Sequence, residues 1–149
     1  MAAQEAVICA LEMKRTRQPV REFSEGTENL IRAMQRHNVR RLLCITGVGA
    51  GTSRGHGGFW FDRVIQPFFL NTIYEDRDRQ ERLVAACDRD WSIIRPAQLT
   101  DGRARARFSV VRNVRGLRAN RILRADVAEW TIAQLKTGQN LYRGIVLTE

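Results

Sequence analysis

The stretch RRLLCITGVGAGTSRGHGG, residues 40–58, joins a continuous apolar run to a loop rich in glycine. The apolar run predicts a buried strand. The loop carries neither common phosphate-binding signature, because it lacks both the G-x-G-x-x-G spacing and the lysine of a P-loop. Two interpretations stay open: a flexible turn in which glycine permits positive φ, or a segment that closes over a ligand. The glycines considered are Gly47, Gly49, Gly51 and Gly55.

On both sides of this stretch, the sequence predicts apolar strands that alternate with helices. Such alternation is typical of βαβ units and a parallel sheet. Helices are predicted at residues 25–38, with Ser24 as the N-cap, and at 74–87, after a helical segment interrupted near Pro67. The predicted buried strands are EAVICAL (5–11), VRRLLCITG (39–47), WSIIRP (91–96) and RGIVLTE (143–149).

Two further segments are predicted between the last two of these strands. RARARFSVV (103–111) alternates polar and apolar residues, which favours an exposed strand. NRILRADVAEWTIAQLK (120–136) predicts a short strand that runs into a helix. The inward face of that helix is expected to carry Val127, Ala128, Thr131, Ile132 and Leu135.

The composition indicates one globular domain, since 44% of the 149 residues are hydrophobic. No apolar run approaches the ~20 residues that cross a bilayer, and the first residues lack the basic region of a secretory signal. We therefore expect a cytoplasmic protein with no membrane partner.

Cys9, Cys44 and Cys87 lie far apart in apolar stretches, which predicts reduced core thiols. With only two histidines, no metal site is expected.

The net charge of +9 is concentrated in one segment. Eight of the 25 basic residues are arginines between positions 102 and 125, where there is no acid, and the remaining 17 nearly balance the 16 acids. A solvated arginine-rich face and a basic lobe that attracts an anionic ligand are both compatible with this pattern. Nucleic acid is disfavoured as a partner, because Phe108 is the only aromatic residue within the segment.

The topology predicts where a ligand would bind, although no catalytic residue can be assigned. In parallel α/β sheets, ligands bind beyond the carboxyl ends of the strands. The candidate segments are therefore the residues after Leu11, the loop 46–53 and the turn 96–102. Ser53, Tyr74 and Asp76 form no recognisable triad, and the Tyr-x-x-x-Lys pair is absent because Asp78 follows Tyr74 at that spacing. Tyr74 is predicted to be a packing residue.

Several stretches together resemble one family. EAVICAL, GTENLIRAMQRHNVRRLLCITGVGAG, DRDRQERLVAACDRDWSIIRPAQLTDG and RADVAEWTIAQL follow one another in the order and spacing of atypical short-chain dehydrogenases. The most similar group is the NAD(P)H-binding, NmrA-like proteins, among them the biliverdin/flavin reductase B-like members. The resemblance covers nearly the whole chain. Its most specific parts are DWSIIRPAQLTDG (90–102) and the pair NLIRAM (29–34) and VRRLL (39–43).

The resemblance implies a Rossmann-type parallel sheet with flanking helices, NADP or NAD as cofactor, and hydride transfer to a flavin or a similar conjugated substrate. A non-catalytic NmrA-like dinucleotide sensor is the alternative. The resemblance also implies a substrate mouth beside Arg103, Arg105 and Arg107, which we expect to favour anionic flavins. The residues implied to line the cofactor groove are Ala10, Leu11, Ile45, Thr46, Gly47, Pro96, Ala97, Gln98 and Leu99.

The chain departs from the family pattern at three places. Gly47 stands where the family often has serine, and Arg77 stands where a lysine is common. The family's first three strands and its glycine-rich turn have no counterpart, so residues 1–149 are predicted to form a single partial domain. Strand 5–11 is then expected at a sheet edge. A longer native protein, a truncated remnant and an edge covered by another chain all remain open, and reductase activity is expected only if the leading half is supplied.

Overall fold

The computed structural model describes residues 4–13, 16, 18–53, 71–115, 117 and 119–149. The helices are α1 (Glu22–Arg36), α2 (Asn71–Ala86) and α3 (Arg124–Ala133). A short 3₁₀ turn occupies Gly51–Ser53. The strands are β1 (Ala6–Cys9), β2 (Arg41–Ile45), β3 (Asp90–Pro96), β4 (Gln98–Thr100), β5 (Ser109–Val111), β6 (Arg121–Leu123) and β7 (Arg143–Thr148).

The main sheet has the order β1-β2-β3-β7-β5. Its first four strands are parallel, and β5 is antiparallel to β7. β4 and β6 form a separate parallel pair. The predicted α/β class with a mostly parallel Rossmann-type sheet is therefore confirmed. Among the described residues, β1 lies at one edge and pairs only with β2.

Both faces of the sheet are covered by helices, which explains why the central strands carry apolar residues on both faces. On one face, Leu42 and Ile93 pack in a cluster with residues of α1 and α2. On the other face, Leu43 and Ile94 pack with Val127 of α3. Adjacent residues of one strand thus enter different halves of the core. Among the described residues, no helix has the length and apolar character needed to cross a membrane.

The predicted N-cap of the first helix is wrong. α1 begins at Glu22, so Ser24 lies within its first turn. The Ser24 hydroxyl donates a hydrogen bond to Asp76 of α2, and the Arg21 side chain at the cap position makes no capping bond. The Asp76 carboxylate of the neighbouring helix α2 therefore caps α1, in place of a side chain at the N-terminus of α1 itself.

Other predicted boundaries are partly corrected. α2 begins at Asn71 rather than Tyr74, and the helical segment predicted around Pro67 lies outside the described residues. In the stretch 103–111 only Ser109–Val111 is a strand. Val127 and Thr131 face inward as predicted, but Ala128 and Leu135 are exposed, as is Ile132 at 56%. α3 is short, and the face that it turns to the sheet is completed by Trp130.

Candidate functional site

The turns predicted to line a groove lie at the carboxyl edge of the parallel strands. Ala10 and Leu11 follow β1, Ile45 ends β2, and Pro96 ends β3. The strands run in register, with Cys9 opposite Cys44 and Ile45 opposite Ile94. The three turns therefore emerge at one edge. The remaining predicted residues continue from these strands: Thr46, Gly47, Ala97, Gln98 and Leu99.

Backbone hydrogen bonds tie these turns to the neighbouring strands. The Thr46 amide donates to the Ile94 carbonyl at 2.8 Å, and the Val48 amide donates to the Pro96 carbonyl at 3.1 Å. The Ala97 amide donates to the β7 carbonyl of Leu147 at 2.9 Å. These three hydrogen bonds hold the turns in place against the neighbouring strands. These amides are engaged, so they are not donors for a bound amide group.

A buried ion pair lies beneath the edge. The Arg95 guanidinium of β3 donates to both carboxylate oxygens of Glu81 in α2, at 3.0 and 2.7 Å. Their side chains are only 5% and 6% exposed. The Thr46 hydroxyl donates to the same carboxylate at 2.7 Å, so it is directed toward α2. Thr46 therefore does not replace the serine hydroxyl that Gly47 lacks.

Two glycines make room for this ion pair. A Cβ at Gly144 of β7 would collide with the Arg95 guanidinium. A Cβ at Gly51 would collide with the Glu81 carboxylate, and Gly51 also has a φ of +53°. Sequence reasoning missed the pair. The one available signal was an arginine within the buried strand WSIIRP, because a buried charge requires a partner.

Two polar side chains of α2, those of Tyr74 and Arg77, lie near the end of β2. A Cβ at Gly47 would lie 3.7 Å from the Tyr74 hydroxyl, an ordinary contact, so the two groups are neighbours. Tyr74 also packs against the apolar cluster of Val20 and Phe23, as predicted for a packing residue. The absence of a side chain at Gly47 leaves space beside this hydroxyl.

Arg77 lies one helical turn further along α2. Its guanidinium stacks over the Phe23 ring at 4.4 Å, and it is within electrostatic reach of Glu12 after β1 and Cys44 in β2. Burial lowers the pKa of Arg77, although an arginine remains charged at neutral pH. Within the described part of the chain, its buried Nη1 has no hydrogen-bond partner. One guanidinium nitrogen that has no partner among the described residues is thus placed near the ends of β1 and β2.

The arginine-rich segment follows β4 and is held by a carboxylate. Asp126 accepts hydrogen bonds from the Arg105 and Ala106 amides, both at 2.8 Å. The side chains of Arg103, Arg105 and Arg107 are exposed. A shallow cavity of about 400 Å³ lies here, lined by Arg105, Arg107, Phe108, Ser109 and Glu149.

The described residues contain no group of three or more His, Cys, Asp or Glu side chains arranged to hold a metal ion. Gly55 and His56 of the glycine-rich loop lie outside the described residues.

A parallel sheet covered on both faces by helices is the architecture of Rossmann-type domains, in which nucleotides bind at the carboxyl edge of the strands. The family model described as NAD(P)H-binding matches residues 1–138. The chain belongs to this NAD(P)H-binding family. No curated protein matches it in sequence.

Solved structures share the fold at low sequence identity. A short-chain dehydrogenase/reductase from Veillonella parvula, solved with NADP, has a TM-score of 0.77 at 12% identity over 99% of this chain and 64% of its own. The oxidoreductase ylbE from Lactococcus lactis gives 0.76 at 17%, over 99% and 63%. ChuY from Escherichia coli O157:H7, described as an anaerobillin reductase, gives 0.72 at 19%, over 89% and 61%. The chain thus spans under two thirds of the length of these structures.

Proposed function

We propose that this chain belongs to an NAD(P)H-dependent reductase that delivers hydride to a flavin or a similar conjugated acceptor. The observation that carries the proposal is the buried Arg77 Nη1, a cationic donor without a described partner at the carboxyl edge of the sheet. Membership of an NAD(P)H-binding family supports a nicotinamide cofactor as the group that binds there. NADP and NAD are both compatible with the proposal.

The residues at this edge fit the nicotinamide end of such a cofactor. Gly47 leaves room for a small group beside the Tyr74 hydroxyl, against which we propose that the nicotinamide ring packs, and Arg77 would supply a hydrogen-bond donor for hydroxyl or amide oxygens. The turns after β1, β2 and β3 form the walls. When bound, the cofactor supplies the hydride. The chain's own residues orient the ring and exclude water, and the buried Glu81–Arg95 pair keeps the β2 and β3 turns in place.

Replacing Arg77 with methionine is expected to weaken NADPH binding about tenfold or more, since a hydrogen bond to a charged group contributes about 1.5–3 kcal/mol. Cofactor fluorescence titration measures the dissociation constant. Arg82→Met is the matched control, because Arg82 is an exposed arginine of the same helix. We expect its dissociation constant to stay near that of the unaltered chain. Equal effects of both substitutions, or no NADPH binding by the unaltered chain, would contradict the proposal.

The exposed arginines after β4 support a preference for anionic acceptors. Changing Arg103, Arg105 and Arg107 together to glutamine is expected to raise the KM for FMN more than that for riboflavin, because only FMN carries a phosphate. The control removes the same number of charges from α1 and its N-terminal flank, at Arg21, Arg32 and Arg36, which are also exposed. Equal changes for FMN and riboflavin would refute an arginine-lined substrate mouth.

A non-catalytic dinucleotide sensor is the second candidate. It is favoured by the turn after β2, where Gly47 has no hydroxyl and the Thr46 hydroxyl is committed to Glu81. NADPH oxidation with FMN, compared with NADPH fluorescence on binding, separates the two functions. Turnover supports the reductase, whereas binding without turnover supports the sensor or a reductase that needs the leading half named in the sequence analysis.

The outer edge of β1 supports pairing with another strand, for which we propose a second copy of the chain as the partner in solution. The edge is open among the described residues, and Ile8 on it is 40% exposed. We expect sedimentation to detect concentration-dependent association that Ile8→Lys abolishes, because edge lysines oppose strand pairing. Ile132→Lys, on the exposed side of α3, is the control and should leave association intact. A chain that stays monomeric at all concentrations would contradict this partner.

A further inference from the structure

Two cysteines lie side by side in the core. Cys9 ends β1 and stands directly opposite Cys44 in the register of the β1–β2 pair. Adjacent strands are about 4.8 Å apart, and the Cα atoms of a disulfide are roughly 4.4–6.8 Å apart. Both side chains enter the same buried cluster, on the face covered by α1 and α2. A bond between the two sulfur atoms therefore requires little movement of the backbone.

The surroundings of Cys9 are unusually polar for a core. The Thr27 hydroxyl of α1 lies 3.7 Å from Cys9 Sγ, and the Gln80 side-chain amide of α2 lies 3.8 Å from it. Gln80 also donates to the Thr27 hydroxyl at 2.9 Å. Both of these polar residues are fully buried. Donors placed around a sulfur atom stabilise its thiolate form.

The two thiols are chemically different. A hydrogen bond from Cys44 lowers the pKa of Cys9 to about 6, against the opposing effect of burial, with smaller contributions from Thr27, Leu11 and Gln80. The same hydrogen bond, together with burial, raises the pKa of Cys44. Cys9 is therefore the more readily ionised of the two thiols, which suits it to act as the nucleophile and Cys44 as the resolving group.

The other groups facing the pair are charged residues of α2. Glu81 raises the pKa of Cys44 and Arg77 lowers it. A small oxidant can reach Cys9 when the edge strand β1 opens locally, since edge elements with few neighbours open most readily. Cys87, which lies after α2, has no such environment: it is half-buried, and burial raises its pKa.

We propose that Cys9 and Cys44 are a reversible oxidation site that takes hydrogen peroxide or another small hydroperoxide and closes to a disulfide. In the first step the Cys9 thiolate attacks one peroxide oxygen and the O–O bond breaks, giving the sulfenic acid of Cys9. The leaving hydroxide, or the alkoxide of an organic hydroperoxide, takes a proton from the solvent and departs as water or an alcohol. In the second step the Cys44 sulfur attacks the Cys9 sulfur. The S–O bond breaks, the Cys44 proton leaves with the hydroxyl as water, and the S–S bond forms. The two sulfur atoms lose two electrons, and the peroxide gains them.

This site does not depend on the proposed reductase function. It needs no nicotinamide, and its test requires neither NADPH binding nor turnover. A thiol-disulfide exchange reagent such as dithiothreitol should reverse the bond.

The test treats the full chain with one equivalent of hydrogen peroxide and maps the products by tryptic digestion and mass spectrometry. Each cysteine falls in its own tryptic peptide, at residues 1–14, 42–54 and 83–89. We expect peptides 1–14 and 42–54 to be joined, with the loss of two hydrogens, and to separate after reduction. Cys87→Ser is the matched control and should give the same joined pair.

Cys44→Ser should stop the reaction at the sulfenic acid, which dimedone traps on peptide 1–14. Oxidation that begins at Cys87 in the unaltered chain would overturn the proposal. So would over-oxidation of Cys9 without joining to Cys44. Both of these contradicting outcomes are looked for in the unaltered chain, so the test does not depend on whether Cys44→Ser folds.

Discussion

Replacing Arg95 with methionine is expected to lower the free energy of unfolding by about 3–5 kcal/mol, the largest loss that we predict. The substitution removes both hydrogen bonds that Glu81 receives from Arg95. Among the described residues, the Thr46 hydroxyl is then the one donor left to the buried carboxylate. An isolated charge in the interior is strongly unfavourable. Chemical denaturation followed by circular dichroism measures this loss.

Two further variants show whether the loss belongs to the buried pair. Arg32→Met breaks the exposed α1 ion pair with Glu28 and should cost no more than about 1 kcal/mol. Changing Glu81 to glutamine in the Arg95→Met background removes the orphaned charge, so it should restore part of the lost stability. If Arg95→Met and Arg32→Met have equal effects, the pair is not the support that the geometry implies.

Replacing Asp76 with alanine is expected to cost about 2–4 kcal/mol. The fully buried Asp76 carboxylate accepts hydrogen bonds from the Phe23 and Ser24 amides, at 2.9 and 3.2 Å, and from the Ser24 hydroxyl. The two amides belong to the first turn of α1, where no intrahelical acceptor exists. Asp76 therefore caps α1 from α2, and a negative charge there also suits the helix dipole. Denaturant titration measures the free energy of unfolding.

The neighbouring Glu75 provides the control for this prediction. Glu75 is exposed, so Glu75→Ala should change the free energy of unfolding by no more than about 0.5 kcal/mol. Asp76→Asn retains one acceptor oxygen and should lose less than Asp76→Ala. If alanine at both positions has the same small effect, the capping role of Asp76 is refuted.

The positions of the strands along the chain could be predicted because they depend on local apolar runs. EAVICAL, LLCIT and SIIRP contain enough consecutive apolar residues to fill both faces of a parallel sheet, and the structure places them as β1, β2 and β3. The cap of α1 could not be predicted, because its acceptor Asp76 is 53 residues from the Phe23 amide that it binds. The exposure of Ile132 was also missed, since periodicity alone does not determine how much of a short helix the sheet covers.

The position of the candidate site could be predicted from topology, but its chemistry could not. Gly47 and Ala97 lie at the carboxyl edge because parallel strands end together there. The geometry of Arg77 depends on how α2 turns over Phe23, and the direction of the Thr46 hydroxyl depends on Glu81. Both contacts join residues distant in sequence, so no local pattern indicates them.

The most direct test of the account is an amide NMR titration of the full chain with NADPH. The account predicts that the resonances of Leu11, Gly47 and Ala97 shift together and saturate with one dissociation constant, while the amide of Gly138 stays unchanged. Shifts confined to the exposed arginines after β4, or no shifts at the carboxyl edge at saturating NADPH, would contradict the claim that this edge receives the nicotinamide.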